Sequence, residues 1–155
     1  MEPMYPRFNE MVLMAVASLM PDGYDVTDDS TVCDTLDKVK RHHRKTGRIM
    51  VWTGESEQSI FGQASVNHAF RAWHDYVHVL YDLPFTKAGE HRVMRIQQTH
   101  VDTLGGFEFT PEEKNLFYKL LECEVDGQLE HLIKTGEFVK DQRAFATTYM
   151  ENNHG

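Results

Sequence analysis

His74 and His78 are four positions apart, the spacing at which two imidazoles on one helix turn toward the same point and converge on a single metal ion. Glu90 follows shortly after them. Further along, Glu124, Gln128 and His131 recur at i, i+4 and i+7, so a helix there carries all three on one face. Nitrogen and oxygen donors without thiolates suit a divalent Zn, Fe or Mn ion, and the set is too rich in imidazole for Ca²⁺. Nine histidines in 155 residues add to the case for metal or proton chemistry.

These side chains act together only if helices aim them at one place, which helical phase tests at about 100° per residue. Over residues 64–81 the apolar stripe is Val66, Phe70, Trp73, Val77 and Leu80, and Asn67, Arg71, His74 and His78 form a row beside it. On the following helix Val93, Met94, Ile96, Val101 and Leu104 define the apolar face, with Glu90 and Gln97 projecting from its middle. A buried lone carboxylate costs several kcal/mol, so Glu90 needs a cation, a proton or an arginine. On the helix after that, Leu116, Phe117, Leu120, Leu121 and Cys123 face inward and Lys119, Glu122, Asp126 and Glu130 outward, while Glu124, Gln128 and His131 share the inner face.

A buried network centred on Arg71 would neutralise one glutamate, but two glutamates and three histidines exceed it. The expected ligands are therefore His74, His78 and Glu90. Glu124 completes the set, binds a second ion or works with His131 as base and acid. Arg71, Asn67 and Gln128 are placed to hold an anionic or carbonyl group of a substrate; neutralising Glu124 and capping the helix are the competing roles of the first two.

The supporting elements follow from capping and turn signals. Asn9–Met20 reads as a helix stopped by Pro21-Asp22-Gly23. Asp29-Ser30 precede a polar helix over 31–45, and 48–53 is short and β-prone. Helices follow over 64–81, from Thr86 to about Leu104, from Thr110-Pro111 to about Lys134, and over 141–150. The expectation is an all-α, compact helical bundle forming a single metal-binding domain over 1–155, with one irregular or β-like excursion near residues 47–62. Composition agrees: 41% hydrophobic residues are enough for a core, and a formal charge of −8 disfavours a nucleic-acid coat or an anionic membrane surface. Cys33 and Cys123 make no disulfide framework, and the longest apolar run, Met11–Met20, is too short to span a bilayer, so the cytoplasm is the expected compartment.

The run Asn67-His68-Ala69-Phe70-Arg71-Ala72-Trp73-His74-Asp75-Tyr76-Val77-His78, followed by Phe85-Thr86-Lys87-Ala88-Gly89-Glu90, resembles uncharacterised bacteriophage proteins with an N-x-x-F-R-x-x-H-D-x-x-H then F-x-x-x-G-E pattern. Gly127-Gln128 and residues 138–145 are similar to the same group, which implies a phage origin and a host cytoplasm. His74-Asp75 also resembles the paired ligands of HD-domain phosphohydrolases. That likeness implies His42 or His43 and Asp126 as further ligands and adds Asp75 to Glu124 and His131 as catalytic candidates.

The function expected from all this is metal-dependent hydrolysis of a small, nucleotide-like phosphate substrate. A ferritin-like di-iron oxidase is one alternative, although no E-x-x-H pair falls at inner phase. A non-enzymatic phage protein with a structural ion or buried polar network is the other, and a homo-oligomer is compatible with each. The segment Gly54–Gly62 is the expected rim or lid.

Overall fold

The computed structural model describes residues 1–153 as a mostly helical fold with one small parallel sheet. Helix α1 (Pro6–Leu19) starts with proline in its first turn and buries Phe8, Met11, Val12, Ala15 and Val16, a stripe at helical spacing. Strands β1 (Asp25–Thr27) and β2 (Met50–Trp52) pair in parallel, Val26 opposite Val51. Parallel strands need a crossover, and α2 (Leu36–Thr46) supplies it. The Asp25 carboxylate ties the unit together by accepting from His42 Nε2 at 2.8 Å and Arg48 Nε at 2.7 Å.

Helix α3 (Ala64–Leu80) packs on α1 and α4 (Lys87–Gly105). Helix α5 (Pro111–Glu122) opens with a capping box between Thr110 and Glu113, passes through a π-helical turn over Cys123–Gly127, and continues as α6 (Gln128–Thr135). Helix α7 (Gln142–Asn152), capped by Asp141, lies across the π turn. Phe8, Phe61, Phe70 and Phe117 join α1, α3, α5 and the loop before α3 into one aromatic core, with ring centroids 5.2–6.4 Å apart. No helix among the described residues is long and apolar enough to cross a membrane.

Four local expectations need correction. Helix α2 starts at Leu36, because Asp29 spends its side chain on Thr31 in a turn and Thr35 caps the helix instead. The β-like excursion expected only near residues 47–62 has a second strand, β1, which is too short to show a period in sequence. Leu80 is 56% exposed, since it stands at the last residue of α3, on the side away from α4, just before the chain reverses. The helix expected to run from Thr110 to Lys134 is interrupted at Cys123–Gly127. A Cβ on Gly127 would meet the Tyr149 ring at 2.9 Å, so the glycine admits α7 against the widened turn.

Candidate metal centre

The C-terminal half of α3 carries His74 and His78 one turn apart on the side facing α4. The chain then reverses through residues 81–86, and Thr86 caps α4 by accepting from the Gly89 amide at 3.1 Å. Gly89 lies so close to the Pro84 carbonyl that a Cβ would overlap its oxygen. That contact sets the entry of α4, and with it the position of Glu90.

Three donor atoms meet there. Glu90 Oε2 lies 2.6 Å from His74 Nε2 and 3.1 Å from His78 Nε2, and the two imidazole nitrogens are 3.2 Å apart. His78 Nδ1–H donates to the Leu83 carbonyl at 2.7 Å, and His74 Nδ1–H donates to Gln97 Oε1 at 2.9 Å. Each outer bond leaves Nε2 directed inward, the arrangement that fixes metal-binding histidines. With both histidines neutral, two lone pairs and a carboxylate would face one another, so the site requires a proton or a cation among them. Among the described residues, this is the cluster of three His, Cys, Asp or Glu donors that can hold a metal ion, all within 4.8 Å of one another.

The electrostatics report the same demand. Burial would raise the Glu90 carboxyl, but the hydrogen bonds and charge of His74 and His78 outweigh it and bring the pKa down to about 2. Burial would lower His74, yet the Glu90 hydrogen bond and charge raise it above the ordinary imidazole value. Phe85 sits edge-on to His78, with centroids 4.7 Å apart, and His78 is fully buried. Access is therefore from the other side, where His74 and Glu90 line a cleft of about 760 Å³.

The cleft brings in further expected residues. Asp75 lines it, its pKa pushed up to about 6 by burial and by Glu90, with His74, His78 and Arg71 opposing. Glu124 lies on the π turn and Gln128 just beyond it. Gln128 Nε2 donates to Glu124 Oε2 at 2.9 Å, whereas Glu124 Oε1 is buried without a partner among the described residues. Burial pushes the Glu124 carboxyl up to about 8, far enough to keep it largely protonated at neutral pH.

Arg71 lines the cleft but is already engaged. One terminal nitrogen donates to the Trp52 carbonyl at 2.7 Å and the Gly54 carbonyl at 2.6 Å, and the other to the Glu55 carbonyl at 2.9 Å. It thereby pins Trp52 and Glu55 at the cleft; of the Gly54–Gly62 segment expected as its rim, Glu55 alone is in the lining.

Other candidates fall elsewhere. Asn67 is buried at 4% exposure and is not in the lining. His131 packs edge-on to Phe145, centroids 5.6 Å apart, and also lies outside the lining, because the π turn rotates it away from the face it would share with Glu124 in a regular helix. Asp126 pairs with His91 at 2.7 Å and His42 with Asp25, so the ligand set implied by the HD likeness is not assembled around His74. Sequence reasoning missed Cys33, Trp52, Phe138 and Lys140 in the lining and the Gln97 bond to His74. Gln97 carried a signal, a polar side chain in the middle of an apolar face, and Phe138 and Lys140 lie in the 138–145 run singled out by resemblance. No protein-family model, curated protein or solved structure matches the chain.

Proposed function

We propose that the protein is a metal-dependent hydrolase of a small molecule, with His74, His78 and Glu90 as the ligands of one divalent ion. The observation that carries this reading is the convergence of three protein donors beside a cleft that two of them, His74 and Glu90, line together with Glu124. Three ligands with open space beside them are the pattern of a catalytic ion, whereas a structural ion is closed by four. When bound, the ion supplies a water acidic enough to attack near neutral pH.

The protein's own groups do the rest. Gln97 and the Leu83 carbonyl hold the two imidazoles in the tautomer that exposes Nε2. Glu124, kept protonated by burial, is the proton donor for a leaving group, and Gln128 fixes its orientation. Asp75, at the cleft wall with a pKa of about 6, accepts a proton from the attacking water. Arg71 holds Trp52 and Glu55 in place at the cleft; with both terminal nitrogens on main-chain carbonyls it offers little to a phosphate.

Elemental analysis followed by a hydrolysis screen of chromogenic esters, amides and phosphoesters tests the reading. The expected result is about one ion per chain, activity lost with the ion in H78A, and activity lost without loss of the ion in E124Q. A tightly held ion that raises stability but never takes up a small chelating ligand at the open position would replace this reading with a structural ion.

A further inference from the structure

The wall of the cleft differs in character from its floor. Val51 and Trp52 come from β2, Phe70 from α3, Leu129 and Leu132 from α6, and Phe138 from the loop before α7. Phe138 is 77% exposed, a large apolar ring at the cleft that the described residues leave open to water.

The ionisable lining is mostly acidic. With Glu124 kept protonated by burial, Glu55, Asp75, Glu90 and Glu137 stand against Arg71 and Lys140, and Arg71 is already bonded to three carbonyls. Among the described residues of the lining, Lys140 is thus the cation left to meet a charged ligand. One divalent ion at His74, His78 and Glu90 offsets this excess of carboxylates without making the lining positive, so a phosphate dianion would need more positive charge than the cleft supplies. An uncharged ring would not, and it would cover apolar surface now open to water.

We propose that the substrate is an uncharged amide or ester with an aromatic or heteroaromatic body, the ring against the apolar wall and Phe138, the carbonyl toward the ion. This rests on the metal-hydrolase reading above. The reaction consumes one water: its oxygen bonds to the carbonyl carbon, the carbon–nitrogen or carbon–oxygen bond of the leaving group breaks, the leaving group gains one proton, and a carboxylic acid is the second product. Glu124 supplies that leaving-group proton, the acid product keeps one proton of the water, and the other, taken up by Asp75, returns to Glu124 through solvent to close the cycle.

The test is calorimetry on the zinc-loaded protein with four probes. Benzohydroxamate and acetohydroxamate share one zinc-binding group and differ in the ring; phenyl phosphate and inorganic phosphate carry the anion with and without the ring. Benzohydroxamate is expected to bind at least tenfold more tightly than each of the other three, and F138A is expected to remove most of its advantage over acetohydroxamate. Phe138 is exposed, so its truncation leaves the fold intact. Zinc uptake is measured first, and a protein that takes up none overturns the metal reading itself. A protein that takes up zinc but binds both hydroxamates equally, or prefers either phosphate, overturns the uncharged aromatic substrate and leaves the metal reading standing.

Discussion

The Pro84 carbonyl oxygen fills the space where a side chain on Gly89 would begin. This one contact fixes how closely α4 approaches the end of α3, and Glu90 is the next residue. Gly89→Ala has no low-cost accommodation, because the obstructing atom belongs to the main chain. We expect a loss of roughly 1–3 kcal/mol in stability from the forced displacement. Zinc affinity should fall by more than the stability loss explains, since Glu90 is carried out of place. Denaturation and zinc titration on the same variant check this, and an unchanged zinc affinity would refute the positioning role.

Gln97 is fully buried, and its Oε1 accepts the Nδ1–H of His74 while its Nε2 has no partner among the described residues. Loss of such a partner for a ligand histidine typically lowers metal affinity on the order of 10–100-fold. Gln97→Leu should show that loss with little change in stability, because the substitution also removes an unpaired buried N–H₂. A competitive zinc titration measures it. Equal affinities would mean that the orientation of His74 is set by packing against Phe70 alone.

Periodicity reveals most of this architecture. The apolar rows of α3 and α4 repeat at helical spacing, and the i, i+4 histidines with an inward Glu90 define the centre before any coordinates are known. The π turn escapes such a reading because pattern analysis assumes a constant angle per residue; the added width at Cys123–Gly127 keeps Glu124 and Gln128 on the cleft and rotates His131 off it. The role of Arg71 is hidden for a different reason. Its partners are main-chain carbonyls of residues 52, 54 and 55, which any sequence offers equally. Strand β1, three residues long, depends for its existence on the crossover and the Asp25 bonds rather than on any pattern of its own.

Zinc binding should release a proton. Without metal, His74 donates from Nδ1 to Gln97 and from Nε2 to the Glu90 carboxylate, which holds the ring charged above its ordinary value of 6.5. A metal ion takes the place of the Nε2 proton. Calorimetry near pH 6, below the ordinary imidazole value, in buffers of different ionisation heat should give a release approaching one proton per ion. The same pairing shapes the stability of the metal-free protein. The His74 contribution is complete below 6.5 and is lost as pH rises through the raised value, and the Glu90 contribution is complete above 4.5 and is lost as pH falls toward about 2. Added zinc should therefore protect most at the alkaline end, and a buffer-independent binding heat would contradict the account.

Glu124 gives the opposite dependence. Its carboxyl is raised from 4.5 to about 8, with burial as the principal cause and the Gln128 hydrogen bond opposing it. The unfolded chain gives up this proton near 4.5 while the folded chain keeps it until about 8, so between those values the folded state binds more protons. Stability therefore falls as pH rises through that window and levels off above it. Glutamine has no proton to lose and retains an oxygen that can accept from Gln128. Glu124→Gln should thus match the wild type near pH 4 and exceed it by about 2–4 kcal/mol at pH 9. If Glu124 is the proton donor, the same variant loses on the order of 10²–10⁴-fold in turnover while its zinc content is unchanged. Urea denaturation at the two pH values, with zinc analysis of the same samples, separates the outcomes. A pH-independent stability difference would show that Glu124 is ionised in the folded protein, and a loss of zinc would make it a ligand instead of a proton donor.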